Sequence, residues 1–242
     1  MRLNRFLAAA GFGSRRAVET LILSGRVFLN QRPCLDLATQ VKENDEVSVG
    51  GKPAHLPGQT TCILLNKPPG YLCSRTDPTD KPLVYALLPP EWRHLHYVGR
   101  LDFLSRGLLL FTDDGALTQA LLHPSREVER VYQVMTARNL DSEALDSLRQ
   151  GMTLEDGLRT LPARVRKLKS GAYELTLREG KNREIRRMMR ALNHRVLDLC
   201  RVAYGPIRLG ETEEGAWRTL TGGEILALRA SCEGVETASR AP

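Results

Sequence analysis

The stretch Tyr97–Gly115, YVGRLDFLSRGLLLFTDDG, sets the strongest constraint on how this chain can fold. A short apolar run ends near Val98, a second spans Leu108–Phe111, and glycines at 99 and 107 bracket the residues between them. Two runs of strand length separated by a glycine-flanked loop predict neighbouring strands of one sheet. Asp102 sits on that loop. A carboxylate carried on a loop above a rigid sheet is how such scaffolds offer a reactive group to a ligand.

The surroundings of that carboxylate are basic. The chain has 35 Lys and Arg against 28 Asp and Glu, a net charge of +7 and a pI of about 9.4. An excess of this size favours an anionic partner, most often nucleic acid. With 242 residues, 42% of them hydrophobic, the chain can bury one large core or a medium core plus a small one. The five cysteines (Cys34, Cys62, Cys73, Cys200 and Cys232) are scattered, with no C-x-x-C pair. Such a set reads as reduced thiols of a cytosolic protein. His94 and His96 point to opposite faces of an extended segment, so no metal centre is expected. No apolar run approaches the ~20 residues of a membrane-spanning helix, and the N-terminus lacks a cleavage signal. The expectation is a soluble, cytoplasmic, metal-free protein.

The first 50 residues read as a separate small unit. Leu3, Phe6, Leu7 and Ala10 form one stripe of a helix that Gly11 and Gly13 end. Ser14 caps a second helix with Val18, Leu21 and Ile22 on its core face, and Gly25 stops it. Strand-like pieces follow at 26–29 and 46–49, with a turn over 30–33. Residues 51–60, rich in glycine and proline, read as a linker. Beyond it strands and helices mix. A strand from Cys62 runs into the turn Asn66-Lys67-Pro68-Pro69-Gly70. Helices are expected over 116–122, 140–150 and 182–192, a strand over 131–135, and a hairpin over 164–177 that turns at Lys169-Ser170-Gly171. Asp113 and Asp114, next to Gly115, read as turn and cap residues rather than an acid pair. Residues 231–242 are small, polar and unpatterned, the composition of a disordered tail.

The segment EGKNREIRRM, residues 179–188, concentrates charge. On a helix, Arg183, Arg187 and Arg190 share one face and Ile185, Met189 and Leu192 another. Arg186 falls at the edge of the apolar face, where an arginine is half-buried and needs an anion. From Lys181 to Arg201 there are seven Lys or Arg (181, 183, 186, 187, 190, 195 and 201) against Glu184 and Asp198. That density suits phosphate.

Two resemblances follow from these motifs. LNRFLAAAGFGSRRAVETLILSGRVFLN with Asp45-Glu46-Val47 resembles the small S-four-type RNA-binding module, which implies RNA contact by Arg5, Arg15, Arg16 and Arg26. Asn66-Lys67-Pro68-Pro69-Gly70, Gly99-Arg100-Leu101-Asp102, GLLLFTDDG, HPSREVERVY and EGKNREIRRM, in this order, resemble the RsuA-like ribosomal RNA pseudouridine synthases over nearly the whole chain. The second resemblance implies an α+β architecture. The N-terminal module, residues 1–50, would be followed by a catalytic domain over 61–230 with a mixed, mostly antiparallel sheet.

It also implies a reaction: conversion of one uridine in ribosomal RNA to pseudouridine by a single aspartate, without cofactor. Asp102 matches the catalytic aspartate, Arg186 its basic partner and Tyr132 the aromatic that stacks on the target base. Whether Asp102 attacks the ribose or removes a ribose proton stays open, and either role needs it ionised. Burial disfavours that charge and a neighbouring guanidinium restores it. Lys67 and Arg100 are expected to meet phosphate or support the loop, and Lys181, Arg183, Arg187 and Arg190 to meet the RNA phosphates. Large-subunit RNA is the preferred substrate, free or in a pre-ribosomal particle, with the protein a monomer. Small-subunit RNA is the alternative, and a non-catalytic RNA-binding or ribosome-assembly protein is the competing class. A glycoside hydrolase would need two flanking carboxylates. One departure stands out: Ser105 replaces the family's threonine, and Arg106 adds a charge beside it.

Overall fold

The computed structural model describes residues 1–233 except Glu43, Pro57 and Gln59. They divide into two compact units, Met1–Thr61 with Asp113–Gly115, and the remainder from Cys62 onward.

In the first unit, α1 (Leu3–Ala9) and α2 (Arg15–Leu23) precede β1 (Val27–Leu29), β2 (Arg32–Pro33), β3 (Val47–Val49) and β4 (Lys52–Pro53). Ser14 caps α2 by accepting from the amide of Ala17 at 3.2 Å. Leu3, Leu7, Val18, Ile22 and Val27 are fully buried in its core. The sheet order is β2-β1-β3-β4. Two of its hairpins turn on adjacent positive-φ residues, Asn30 and Gln31 (50° and 65°) and Gly50 and Gly51 (55° and 80°). Paired positive φ is the backbone of a tight two-residue hairpin. Gly50-Gly51 is therefore a turn, and Lys52–Pro53 belongs to the sheet rather than to a linker. Arg32 and Pro33, expected in a turn, likewise pair with β1.

The second unit contains β5 (Cys62–Lys67), β6 (His96–Val98), β7 (Arg106–Thr112), α3 (Gly115–Leu122), β8 (Arg130–Thr136), α4 (Ser142–Gln150), β9 (Arg164–Lys169), β10 (Ala172–Leu177), α5 (Glu184–Ala191), β11 (Val196–Tyr204), β12 (Ile207–Arg208), β13 (Trp217–Thr219) and α6 (Gly222–Glu233). Its sheet runs β13-β5-β7-β11-β8-β10-β9, with β6 paired to β7 and β12 to β11. Every pairing is antiparallel except the central β7–β11 seam. The sheet is mixed and mostly antiparallel, as expected. The last residues of α6, Ser231 to Glu233, are helical where a tail was expected. The rest of that tail, 234–242, lies outside the described residues.

Helices cover both faces at the centre of this sheet. Ile63, Leu65, Leu109 and Phe111 pack with α4 and α5 on one side, and Leu64, Leu108 and Leu110 with α3 and α6 on the other. A strand buried on both faces reads as an unbroken apolar run, which is why GLLLF shows no alternation. Strand β8 alternates, with Tyr132 and Val134 buried and Gln133 and Met135 exposed. The edge strand β9 exposes Arg164, Arg166, Lys167 and Lys169, a charge row that resists pairing with another chain. None of the five cysteines forms a disulfide, and no described helix is long and apolar enough to cross a membrane.

Candidate active site

Asp102 lies on the loop between β6 and β7, and the backbone of that loop is pinned from below. Lys67, at the end of β5, has no exposed surface. Its ammonium donates to the carbonyls of Ser105 (2.8 Å), Pro68 (2.9 Å), Asp102 (3.3 Å) and Phe103 (3.5 Å). The amide of Gly70 donates to the carbonyl of Phe103 at 2.7 Å, and the amide of Ser105 to that of Asp102 at 3.0 Å. Of the two roles expected of Lys67, phosphate contact and loop support, the structure shows the second: it is an internal staple, because β5 directs it beneath the loop. Burial pulls its pKa down to about 8. Replacing it with methionine removes that desolvation but strands several carbonyls. Lys67→Met should therefore cost roughly 3 kcal/mol, read as a fall of about 5–10 °C in the unfolding midpoint.

Gly107 continues the loop into β7 with φ of 102°. A Cβ there would stand 2.4 Å from the carbonyl oxygen of Arg201 and 2.8 Å from its amide nitrogen. Only glycine lets β7 and β11 close into their parallel seam at this point.

Arg186 reaches the loop from α5. Its Nη2 donates to the Leu104 carbonyl (3.1 Å) and to Ser105 Oγ (3.3 Å), and its Nε stands 3.8 Å from Asp102 Oδ2. The last distance is an ion pair without a hydrogen bond. Arg186 Nε is otherwise buried without a partner. Burial lowers the guanidinium's pKa and Asp102 opposes the shift. The arginine is thus fixed by the loop itself, while the carboxylate keeps its oxygens open to a ligand. The hydroxyl of Ser105, 1% exposed, is with the Leu104 carbonyl one of the two groups that orient Arg186. Arg106 binds Asp198 through Nε–Oδ1 (2.9 Å) and Nη2–Oδ2 (2.7 Å). It ties β7 to β11 and takes no part in the cavity.

Asp102, Tyr132, Arg130, Arg201, Leu177 and Ile185 line a cavity of about 310 Å³. That volume suits one nucleotide-sized ligand. Tyr132 is 9% exposed and belongs to the core as well as to the cavity. Among the described residues no group of His, Cys, Asp and Glu is arranged to hold a metal ion.

The basic segment is less free than its composition suggests. Helix α5 starts at Glu184, because Arg183 adopts a left-handed φ of 49°. Arg183 therefore does not continue the helical face of Arg187 and Arg190. Lys181 pairs with Glu179 at 2.7 Å, Arg187 with Asp156, and Arg190 with Glu155. Those acids lie outside the window in which the charge was counted, and each of the three cations would have to exchange a carboxylate for phosphate. Arg100 and Arg183 line the cavity, exposed. In the N-terminal unit, Arg5, Arg15, Arg16 and Arg26 are all exposed.

Glu184 is the buried acid of this segment, 4% exposed, and it accepts from the amide of Lys181 at 3.0 Å. Burial, reinforced by Glu179, pushes its pKa up to about 8. A raised carboxyl pKa gives stability that is present below the ordinary 4.5 and lost as pH rises through about 8. Glu184→Gln keeps the hydrogen-bonding shape and removes the titration. Denaturant midpoints should show the variant close to wild type at pH 5 and more stable than it at pH 9. A variant less stable than wild type at pH 9 would contradict this assignment.

Arg130 and Arg201 were not singled out as site residues. The signal for Arg201 was a lone arginine inside the apolar run LDLCRVAY; for Arg130 it was the two-residue spacing to Tyr132, which puts both on one strand face.

The RNA pseudouridylate synthase family model matches residues 61–191, and an S4 domain model matches residues 1–47. The chain belongs to the RNA pseudouridylate synthase family. It is 37% identical to an uncharacterized RNA pseudouridine synthase of Aquifex aeolicus, over 94% of this chain and 93% of that one. It is 40% identical to ribosomal large subunit pseudouridine synthase B of Escherichia coli K12, over 90% of this chain and 79% of the relative. A crystal structure of a pseudouridylate synthase superposes with a TM-score of 0.70 at 29% identity, covering 94% of this chain and 99% of that one. This pseudouridylate synthase therefore pairs an S-four-type module with an α+β catalytic domain.

Proposed function

We propose that this enzyme converts one uridine of large-subunit ribosomal RNA to pseudouridine, with Asp102 as its catalytic carboxylate. The observation that carries the reading is the placement of Asp102: an ion-paired carboxylate at a nucleotide-sized cavity, with Arg186 held beside it by the same loop. The N1–C1′ bond from uracil to ribose breaks, the base turns, C5 bonds to C1′, and the proton lost from C5 is balanced by one gained at N1. No group is gained or lost in that rearrangement, so neither cofactor nor metal is required. Asp102 acts on the ribose as nucleophile or as base, Arg186 positions it and supports its charge, and Tyr132 stacks on the flipped uracil.

The choice of large-subunit RNA rests on the relatives named for that substrate. Arg5, Arg15, Arg16 and Arg26 hold the RNA from the N-terminal module, and Arg100 and Arg183 contact phosphates at the cavity. The protein acts as a cytoplasmic monomer on ribosomal RNA or a pre-ribosomal particle. The test is to incubate it with unmodified large- and small-subunit ribosomal RNA and map pseudouridine by chemical primer extension. One new stop on the large-subunit RNA is expected. Product only on the small-subunit RNA would overturn the choice of substrate, and none on either would overturn the reading.

A further inference from the structure

Strands β8 and β11 bring two guanidiniums and two phenols to one face of the sheet. Arg201 lies opposite Tyr132 in the ladder, and Tyr204 lies opposite Arg130. The register shifts between Arg201 and Ala203, which leaves Val202 as the extra residue of a bulge. The bulge returns Arg201 and Tyr204 to the same side, where strict alternation would separate them. Arg130 and Arg201 then place their Cζ atoms 5.0 and 5.2 Å from the centre of the Tyr204 ring.

Both arginines are buried, 8% and 2% exposed. Arg130 Nη2 donates to the Leu121 carbonyl at 3.2 Å and to the Tyr204 hydroxyl at 3.0 Å, and Arg201 Nε to the Leu108 carbonyl at 2.7 Å. Arg201 Nη2 is buried with no partner. Among the described residues neither guanidinium forms an ion pair. Both line the cavity that holds Asp102. Gly180 faces Arg130 with no side chain of its own: a Cβ there would come 3.7 Å from the Arg130 Cζ and 3.8 Å from its Nε. Arginine cannot shed its proton, so two buried positive charges share one ring without a counter-anion. A neutral carbonyl would satisfy the orphan donor but not the charge.

We propose that Arg130 and Arg201 form a phosphate subsite in the cavity, one that takes the backbone phosphate of the nucleotide whose base enters beside Tyr132. The identity of that nucleotide rests on the proposed function; the affinity for phosphate does not.

The test uses the full chain and inorganic phosphate, with chloride at equal ionic strength as control. Saturating phosphate should raise the wild-type unfolding midpoint by about 5 °C and shift the Nε–H resonances of Arg130 and Arg201. Arg201→Gln should lose the response. Gly180→Asp puts a carboxylate beside Arg130; it should raise the midpoint without phosphate and abolish the phosphate response, the opposite of a merely disruptive change. A wild type that ignores phosphate, or a Gly180→Asp protein that is destabilised and still responds, overturns the subsite. Pseudouridine formation measured in parallel separates the two readings. Activity without phosphate binding sinks the subsite alone, and phosphate binding through both arginines without activity on either RNA sinks the proposed function alone.

Discussion

Asp102→Asn is expected to reduce pseudouridine formation by at least about 10³-fold while RNA affinity stays at the wild-type level. The substitution is nearly isosteric, and the loop is held by groups it does not touch. Lys67 grips backbone carbonyls, Gly70 and Ser105 donate to the loop from their amides, and Arg186 is anchored on Leu104 and Ser105. What disappears is one negative charge 3.8 Å from a buried guanidinium nitrogen. An amide can neither attack the ribose nor accept its proton, so the loss falls on the chemical step. Single-turnover assays with primer-extension mapping, run beside equilibrium RNA binding, separate the two effects. Product formed by the variant at a wild-type rate would remove Asp102 from the mechanism.

Arg186→Lys should lower kcat by about 10²-fold with KM for RNA changed by less than about twofold. A guanidinium can hold the Leu104 carbonyl and the Ser105 hydroxyl with one arm while Nε faces Asp102. An ammonium is a point charge on a flexible stem and cannot keep that fork. The charge survives and the geometry does not, which makes lysine a sharper probe than a neutral residue. If the lysine variant matched wild type in kcat, a positive charge alone would suffice and the anchoring by Ser105 would be incidental. Ser105→Ala, which removes one of the two anchors and leaves the Leu104 carbonyl, should move kcat in the same direction by a smaller factor.

Much of this arrangement could be read from local sequence. The stripe of Leu3, Phe6 and Leu7, the Ser14 cap, and the helix over 140–150 were legible because helices record their packing in short periods. The Asp141 carboxylate does accept from the amide of Ala144, at 2.8 Å. The loop carrying Asp102 was legible because glycines mark both of its ends. The unreadable parts depend on partners far along the chain. Arg106 and Asp198 are 92 residues apart, and the acids that neutralise Arg187 and Arg190 come from the segment after α4. The whole of β11 escaped notice, since its bulge at Val202 breaks the alternation by which a strand is recognised. Lys67 beside two prolines looks like a surface residue until β5 is placed beneath the loop that carries Asp102.

The parallel seam between β7 and β11 also sets the order of events as the chain folds. The N-terminal module is built from residues 1–61, with the short Asp113–Gly115 segment grouped with it. The loop that carries Asp102, by contrast, meets Arg186 across 82 residues, and Arg201 bonds to β7 across 93. Contacts of such long range close late and slowly. During synthesis the RNA-binding module is thus complete well before the carboxylate has a partner. A chain truncated before β11 is therefore expected to bind RNA through this module without modifying it. Competence for chemistry in this enzyme is accordingly a report that the last central strand has found its place.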